Sequence, residues 1–202
     1  VFEYIDLREK INHTMYYPLD DIKPSGAWVK NASRWSLWTI IRTHILNGDL
    51  RVFSPYNPND FNTLDGYQLK YPVDPEPGLD YYTDTNYRDE MVYLLGTLSI
   101  ASEVAISNSW GDGDSVIQQP DGTFETVYPP KDTTWYTSKD IVQYRIKEDW
   151  FFDKQRSVLD VRILALAPVV YDMQIDAQGV TSIGGMKELF WLYFPHCRFV
   201  FN

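Results

Sequence analysis

Residues 141–168 read IVQYRIKEDWFFDKQRSVLDVRILALAP. Two runs of alternating side chains flank the polar knot Asp153-Lys154-Gln155-Arg156, the pattern of a long β-hairpin. With Lys154 and Gln155 at the centre of the turn, Phe152 faces Ser157, Trp150 faces Leu159, Glu148 faces Val161 and Ile146 faces Ile163. One face then carries Val142, Tyr144, Ile146, Trp150 and Phe152 against Leu159, Val161, Ile163 and Ala165. The opposite face carries Lys147, Asp149, Asp160 and Arg162, and its diagonals pair Lys147 with Asp160 and Asp149 with Arg162. A slip of one residue would turn the apolar set into water, so the pairing is strongly specified. No glycine lies in the turn, which predicts a four-residue loop around a type I turn rather than a type I′ loop. Glu148 is out of place, because it falls on the apolar face.

A chain of 202 residues with 44% hydrophobic content is expected to form one domain, 1–202, with a sizeable core. Its net charge of −10 disfavours nucleic acid and anionic lipid as partners, since holding phosphates takes clustered Lys and Arg. The single cysteine, Cys197, excludes an internal disulfide and an all-cysteine zinc site, and reads as a buried residue near the end of an apolar strand. No apolar run approaches the ~20 residues of a membrane helix. The sequence opens inside a strand-like pattern and closes on apolar Phe199-Val200-Phe201, so a signal peptide and a C-terminal segment are expected beyond it. Seven Trp and fifteen Tyr suit a β-rich core, a protein interface or a sugar platform.

Phe2–Leu7 alternates as a short strand, and Arg8–Tyr17 suits a short helix stopped by Pro18. A helix begins at Ser33 as N-cap, with Leu37, Trp38, Ile41 and Ile45 as its apolar stripe, Thr39 opposite, and Asn47-Gly48 as its stop. His44 beside that stripe reads as a packed histidine, since no second ligand lies four residues on. Tyr67–Tyr71 is strand-like within a stretch holding prolines 55, 58, 72, 75 and 77, a loop of the kind that faces partners. A second helix spans Asn86–Leu95, with Tyr87, Met91, Leu94 and Leu95 inward, Asn86 and Asp89 as a capping pair and Gly96 as its stop. Ser99–Ile106 is a candidate strand, and Val116–Gln119 and Phe124–Tyr128 flank the turn Pro120-Asp121-Gly122-Thr123. Thr137–Asp140 forms one helical turn, Val169–Ile175 continues as strand, Ala177–Gly179 turns, and Leu189–Phe194 is a strand buried on both faces. The order gives an α+β fold: a mainly antiparallel sheet with a central long hairpin packed by two or three helices.

No nucleophile elbow, phosphate loop or dinucleotide fingerprint is present. Gly111–Ser115 begins like a calcium loop, but Val116 and Thr123 stand where ligands would be needed, so it reads as solvated loop. Glu148, Asp149 and Asp153 form the best carboxylate cluster, yet alternation sends Asp149 to the other face and Asp153 into the turn. Glu148 is expected to pair with Arg156, Arg145 or Arg8. No catalytic residue, metal ligand or cofactor is assigned. Trp28, Trp110 and Trp135 leave a carbohydrate-binding module as the alternative reading.

The run Tyr144-Arg145-Ile146-Lys147-Glu148-Asp149-Trp150-Phe151-Phe152-Asp153-Lys154-Gln155-Arg156-Ser157, with Val161-Arg162-Ile163 and Ala167-Pro168 behind it, resembles the signature of the GldN/PorN family. Ile5-Asp6-Leu7-Arg8-Glu9-Lys10, Tyr16-Tyr17-Pro18 and Leu189-Phe190-Trp191-Leu192-Tyr193-Phe194-Pro195 extend the resemblance over almost the whole chain. It implies a non-enzymatic, periplasmic part of the type IX secretion and gliding machinery of Bacteroidota. Such proteins form a ring with an outer-membrane lipoprotein, GldK or PorK, and contact the motor protein GldM or PorM and the component SprE or PorW. Self-association in a ring is implied, and direct membrane insertion is not. Expected contact residues are Tyr81 and Tyr82 in the Pro72–Tyr87 segment, Trp110, and Trp150, Asp153, Lys154 and Arg156 at the hairpin tip.

Overall fold

The computed structural model describes residues 1–20, 34–60, 63–98, 105, 107–108, 110, 113–118, 122–126, 133–175 and 181–201. Its elements run β1 (Phe2–Asp6), a 3-10 turn (Lys10–Asn12), α1 (His13–Tyr16), α2 (Leu37–Leu46), β2 (Val52–Phe53), a second 3-10 turn (Gly66–Gln68) and β3 (Pro72–Val73). They continue with α3 (Thr85–Leu95), β4 (Gly96–Leu98), β5 (Val116–Gln118), β6 (Phe124–Thr126) and β7 (Thr133–Trp135). The last are β8 (Ile141–Asp153), β9 (Val158–Ile175), β10 (Thr181–Glu188), β11 (Trp191–Tyr193) and α4 (Phe194–Phe201). The chain divides into two compact units, 1–90 with 136–202, and 91–135. In the second, β4 pairs with β7 and β5 pairs with β6, both antiparallel, while Pro120 and Asp121 of the expected turn lie outside the described residues. The candidate strand Ser99–Ile106 and the turn Ala177–Gly179 fall on or largely on residues outside those described.

The first unit is built on a seven-stranded sheet, ordered β1-β8-β9-β11-β2-β3, with β10 also on β9. All its ladders are antiparallel, so the α+β reading holds. The 18 residues of β9 would span roughly 60 Å at strand rise. Val169 and Val170 pair with both β8 and β10, and Ala165 and Leu166 with both β8 and β11, so β10 and β11 share one edge of β9. Pro168 explains why they are two strands. Its carbonyl accepts from Leu189 N at 3.0 Å, so its missing N–H faces that same edge and the ladder lapses at Leu189–Phe190. The expected strand Leu189–Phe194 therefore shrinks to Trp191–Tyr193. Pro195 is admitted in the first turn of α4, where an N–H is not needed. Cys197 accordingly sits on a helix, where burial pushes its thiol up to about 12.

From Gln143 to the tip the hairpin differs from its expected register in two ways. The loop is Lys154–Ser157, one residue later than expected, so Trp150 faces Val161 and Phe152 faces Leu159. Asp153 sets it: its carboxylate accepts from Gln155 N at 2.8 Å and Arg156 N at 3.1 Å, and Ser157 closes the loop at φ 53°. A shift of two between partners keeps every side chain on its face. The second difference does not. Glu148 pairs with Ile163 and Lys147 with Ala165, so Leu164 is the extra residue of a bulge. Beyond it Leu166 and Pro168 join Tyr144 and Ile146, while Ala165 moves to the opposite face. Lys147 thereby misses Asp160 and donates instead to Tyr67 O at 3.1 Å.

That opposite face is buried by Trp191, packed on Ala165 and Ala167 with Phe53, Tyr67 and Leu69 around it. Tyr67 and Leu69 belong to the second 3-10 turn and its left-handed end, not to a strand. The face also carries Arg145, stacked on Phe2 and Tyr4 and paired with Glu188. Against β9 lies α4, and against α4 lies α2. Trp38 of α2 stacks on Phe190 at 6.1 Å, and its indole donates to Tyr136 O at 2.9 Å. Ser36, rather than Ser33, is the N-cap, because its hydroxyl accepts from Thr39 N at 3.2 Å. Thr39 is buried rather than exposed, since Ser36 Oγ also meets Ser138 Oγ at 2.6 Å and Asp20 accepts from Ser138. In α3 the cap is Asp84, not Asn86: its carboxylate accepts from Tyr87 N and Glu76 N, which holds its pKa below the usual range. α3 ends at Leu95, so Gly96 is its stop as expected, and β4 opens on the same residue.

The polar cluster and the buried phenol of Tyr144 make opposite predictions. Ser138→Ala strips Asp20 and Ser36 of partners and is expected to cost about 1–3 kcal/mol in urea unfolding. The hydroxyl of Tyr144 is buried with no hydrogen-bond partner among the described residues, so Tyr144→Phe should leave stability unchanged or slightly higher. A Tyr144→Phe loss as large as that of Ser138→Ala would contradict this assignment.

Candidate partner-binding surface

The inner half of the β8–β9 hairpin is buried, and the outer half is not. From Val142 to Glu148, alternate residues of β8 are buried, and on β9 burial is continuous over 165–170. Outside that, Trp150 is 45% exposed, Phe152 59%, Leu159 58% and Val161 42%, all on the face that carries Tyr144 and Ile146 farther in. The expected cover of this face by helices stops short of these four residues.

The reverse face of the outer half carries charge that largely cancels. Arg156 bridges Asp153 at 2.8 Å and Asp160 at 3.3 Å, while Arg162 faces Asp149 across the strands and lies over the Phe151 ring at 5.4 Å. The Arg156 guanidinium, then the loop amides of Arg156 and Gln155, hold the Asp153 carboxyl below the usual carboxylate range. Of the residues singled out in the sequence, Trp150, Asp153, Lys154 and Arg156 thus come together on one projecting ribbon. Glu148 does not find the cation expected for it. Arg8 is paired with Asp6, Arg145 with Glu188, and Arg156 with Asp153 and Asp160.

Tyr81 and Tyr82 lie elsewhere, in the wall of an open cleft of about 1070 Å³. The end of α2, the 73–82 loop and α4 line it, with His44, Tyr87, His196 and Phe199 among its side chains. No periodicity in the sequence announces this cleft, because three distant segments make it. His44 is half-buried at its rim and bonded to Asp49 at 2.7 Å, a pair at a helix end rather than a packed core residue. Trp110 belongs to the 91–135 unit and is exposed.

The carboxylates of the ribbon do not converge. Glu148 and Asp149 point to opposite faces and Asp153 is spent on its turn. The thiol of Cys197 is buried and hard to ionise. Among the described residues no group of His, Cys, Asp and Glu is placed to hold a metal ion. None of their helices is long and apolar enough to cross a membrane.

These features define an α+β domain that presents a projecting antiparallel ribbon. The chain belongs to the GldN family: the description "Gliding motility associated protein GldN" matches residues 1–202, its full length. Membership connects it with gliding motility and type IX secretion, a family of machinery components rather than a known enzyme family. No curated protein matches the chain.

The loop electrostatics carry a pH dependence of definite sign. A carboxyl with a lowered folded pKa stabilises its turn above about pH 4 and loses that contribution as pH falls through the folded value. Amide exchange of Gln155 and Arg156, followed by NMR from pH 6 downward, should accelerate (relative to intrinsic rates) only below about pH 4. Protection independent of pH across that window would show that Asp153 does not hold the loop.

Proposed function

We propose that the chain is a non-enzymatic structural component of the type IX secretion and gliding machinery, located in the periplasm. It associates with itself and with an outer-membrane lipoprotein of the GldK/PorK kind in a ring, and couples that ring to a GldM/PorM-like motor and a SprE/PorW-like component. Family membership over the whole chain supports the machinery. The observation that carries an adhesive role is the outer hairpin, where Trp150, Phe152, Leu159 and Val161 stand in water although they continue a core face. Exposed apolar surface of this kind on a soluble domain marks an interaction site, and aromatic anchors dominate binding energy at such sites.

Within this reading the tip residues Trp150, Asp153, Lys154 and Arg156 contact the lipoprotein. Tyr81 and Tyr82 offer a second contact at the cleft, and Trp110 a third on the other unit. Replacing Asp153, Lys154 and Arg156 together by alanine should abolish co-purification with the lipoprotein while the circular dichroism spectrum stays that of the parent. Full recovery of the complex by a folded triple variant would remove the tip from the interface. Light scattering of the chain with and without the lipoprotein should show growth beyond a one-to-one complex, and a strict one-to-one mass would refute ring assembly by these two proteins.

A further inference from the structure

Resting on the adhesive reading above, we infer that the outer β8–β9 face docks an apolar segment of a partner protein that carries a lysine or arginine, and that Glu148 receives this cation. Glu148 is only 7% exposed and stands where the buried part of the face meets the exposed part. Its one recorded side-chain hydrogen bond is from the indole of Trp150, Nε1 to Oε2 at 3.0 Å. Among the described residues it makes no ion pair, and the three arginines the sequence offers it are each held by other acids. A carboxylate this deep is costly unless a cation and further donors meet it. Among the described residues that half of the pair is unfilled.

The surroundings say what would fill it. Trp150, Phe152, Leu159 and Val161 form an uncharged strip leading away from Glu148, while the reverse face has matched its own charges. A partner laid on the strip therefore meets one uncompensated charge, at one end. Arginine suits it best, because a guanidinium both forks onto a carboxylate and stacks on an indole; lysine satisfies the charge alone. The bond from Trp150 orients the carboxylate before the partner arrives, which lessens the ordering cost of binding. The sequence marked Glu148 as misplaced on an apolar face; as half of an intermolecular ion pair the position is consistent.

The test is photo-cross-linking in the native cell, with p-benzoyl-phenylalanine in place of Phe152 in the full-length protein, in Glu148 and Glu148→Gln backgrounds. Glutamine can still accept from the Trp150 indole, so a purely structural role would survive the change. The expected result is an adduct whose cross-linked peptide contains a Lys or Arg within a few residues, and whose yield falls about tenfold or more in Glu148→Gln at equal protein level. Val161→Ser, which leaves the carboxylate in place, should weaken the same adduct. No adduct, an adduct with a second copy of the chain, a peptide lacking a basic residue, or a yield indifferent to Glu148→Gln would each overturn the inference. An adduct that meets both criteria on a protein other than the lipoprotein would uphold the site and remove the lipoprotein from it, so the two readings fail separately.

Discussion

Six residues of β9, Ala165 to Val170, are the segment on which the first unit depends, because they run between strands on both edges and between packed groups on both faces. Every other strand of that sheet is connected to them directly or through one or two neighbours. Their composition follows from the crowding. Ala165 and Ala167 are small where Trp191 packs on them, and Leu166, Val169 and Val170 are buried beside them. Pro168 costs the ladder one bond and separates β10 from β11. The bulge at Leu164 is the matching device on the other edge, since it sets which face each alanine joins.

The ribbon leaves this segment in two directions with only one partner strand each. Toward the tip β9 keeps β8, and toward its other end it keeps β10, with Met173, Ile183 and Met186 exposed there. Two-stranded ribbons are marginal in water without a face to pack on. The tip is held by local means instead: the Asp153 carboxylate on the loop amides, Arg156 across two acids, and Arg162 over Phe151. Such interactions define a shape without hiding its apolar side chains. That combination suits a surface that must remain ordered while awaiting a partner.

Charge supports the same picture. The chain is strongly acidic, yet its exposed ribbon is close to neutral, so the overall acidity is not concentrated at the tip. Glu148 is the exception, and it differs from the acids on the reverse face of the ribbon in being buried. His44 is tied to Asp49, His13 packs on Tyr17, His196 packs on Tyr193, and Cys197 is buried on α4.

Alternation over 141–175 was sufficient to specify the two long strands, their faces near the tip and the glycine-free loop, because period-two burial and turn chemistry are local properties. The stripe Trp38-Ile41-Ile45 likewise specified α2, and its end at Asn47-Gly48 is where the left-handed residue stands. Motif resemblance in the hairpin, the start and the end of the chain was enough to identify the family. Folding in three dimensions decided the rest. The register moved because one carboxylate, Asp153, found its loop amides, and the faces of β9 exchanged because a single residue bulged. Ser36 displaced Ser33 as the cap once Ser138, a hundred residues on, came within 2.6 Å of it. Most of all, sequence pattern marks a residue as apolar without saying whether anything packs on it. Tertiary packing sets that: it leaves Trp150, Phe152, Leu159 and Val161 exposed and, among the described residues, Glu148 without an ion pair.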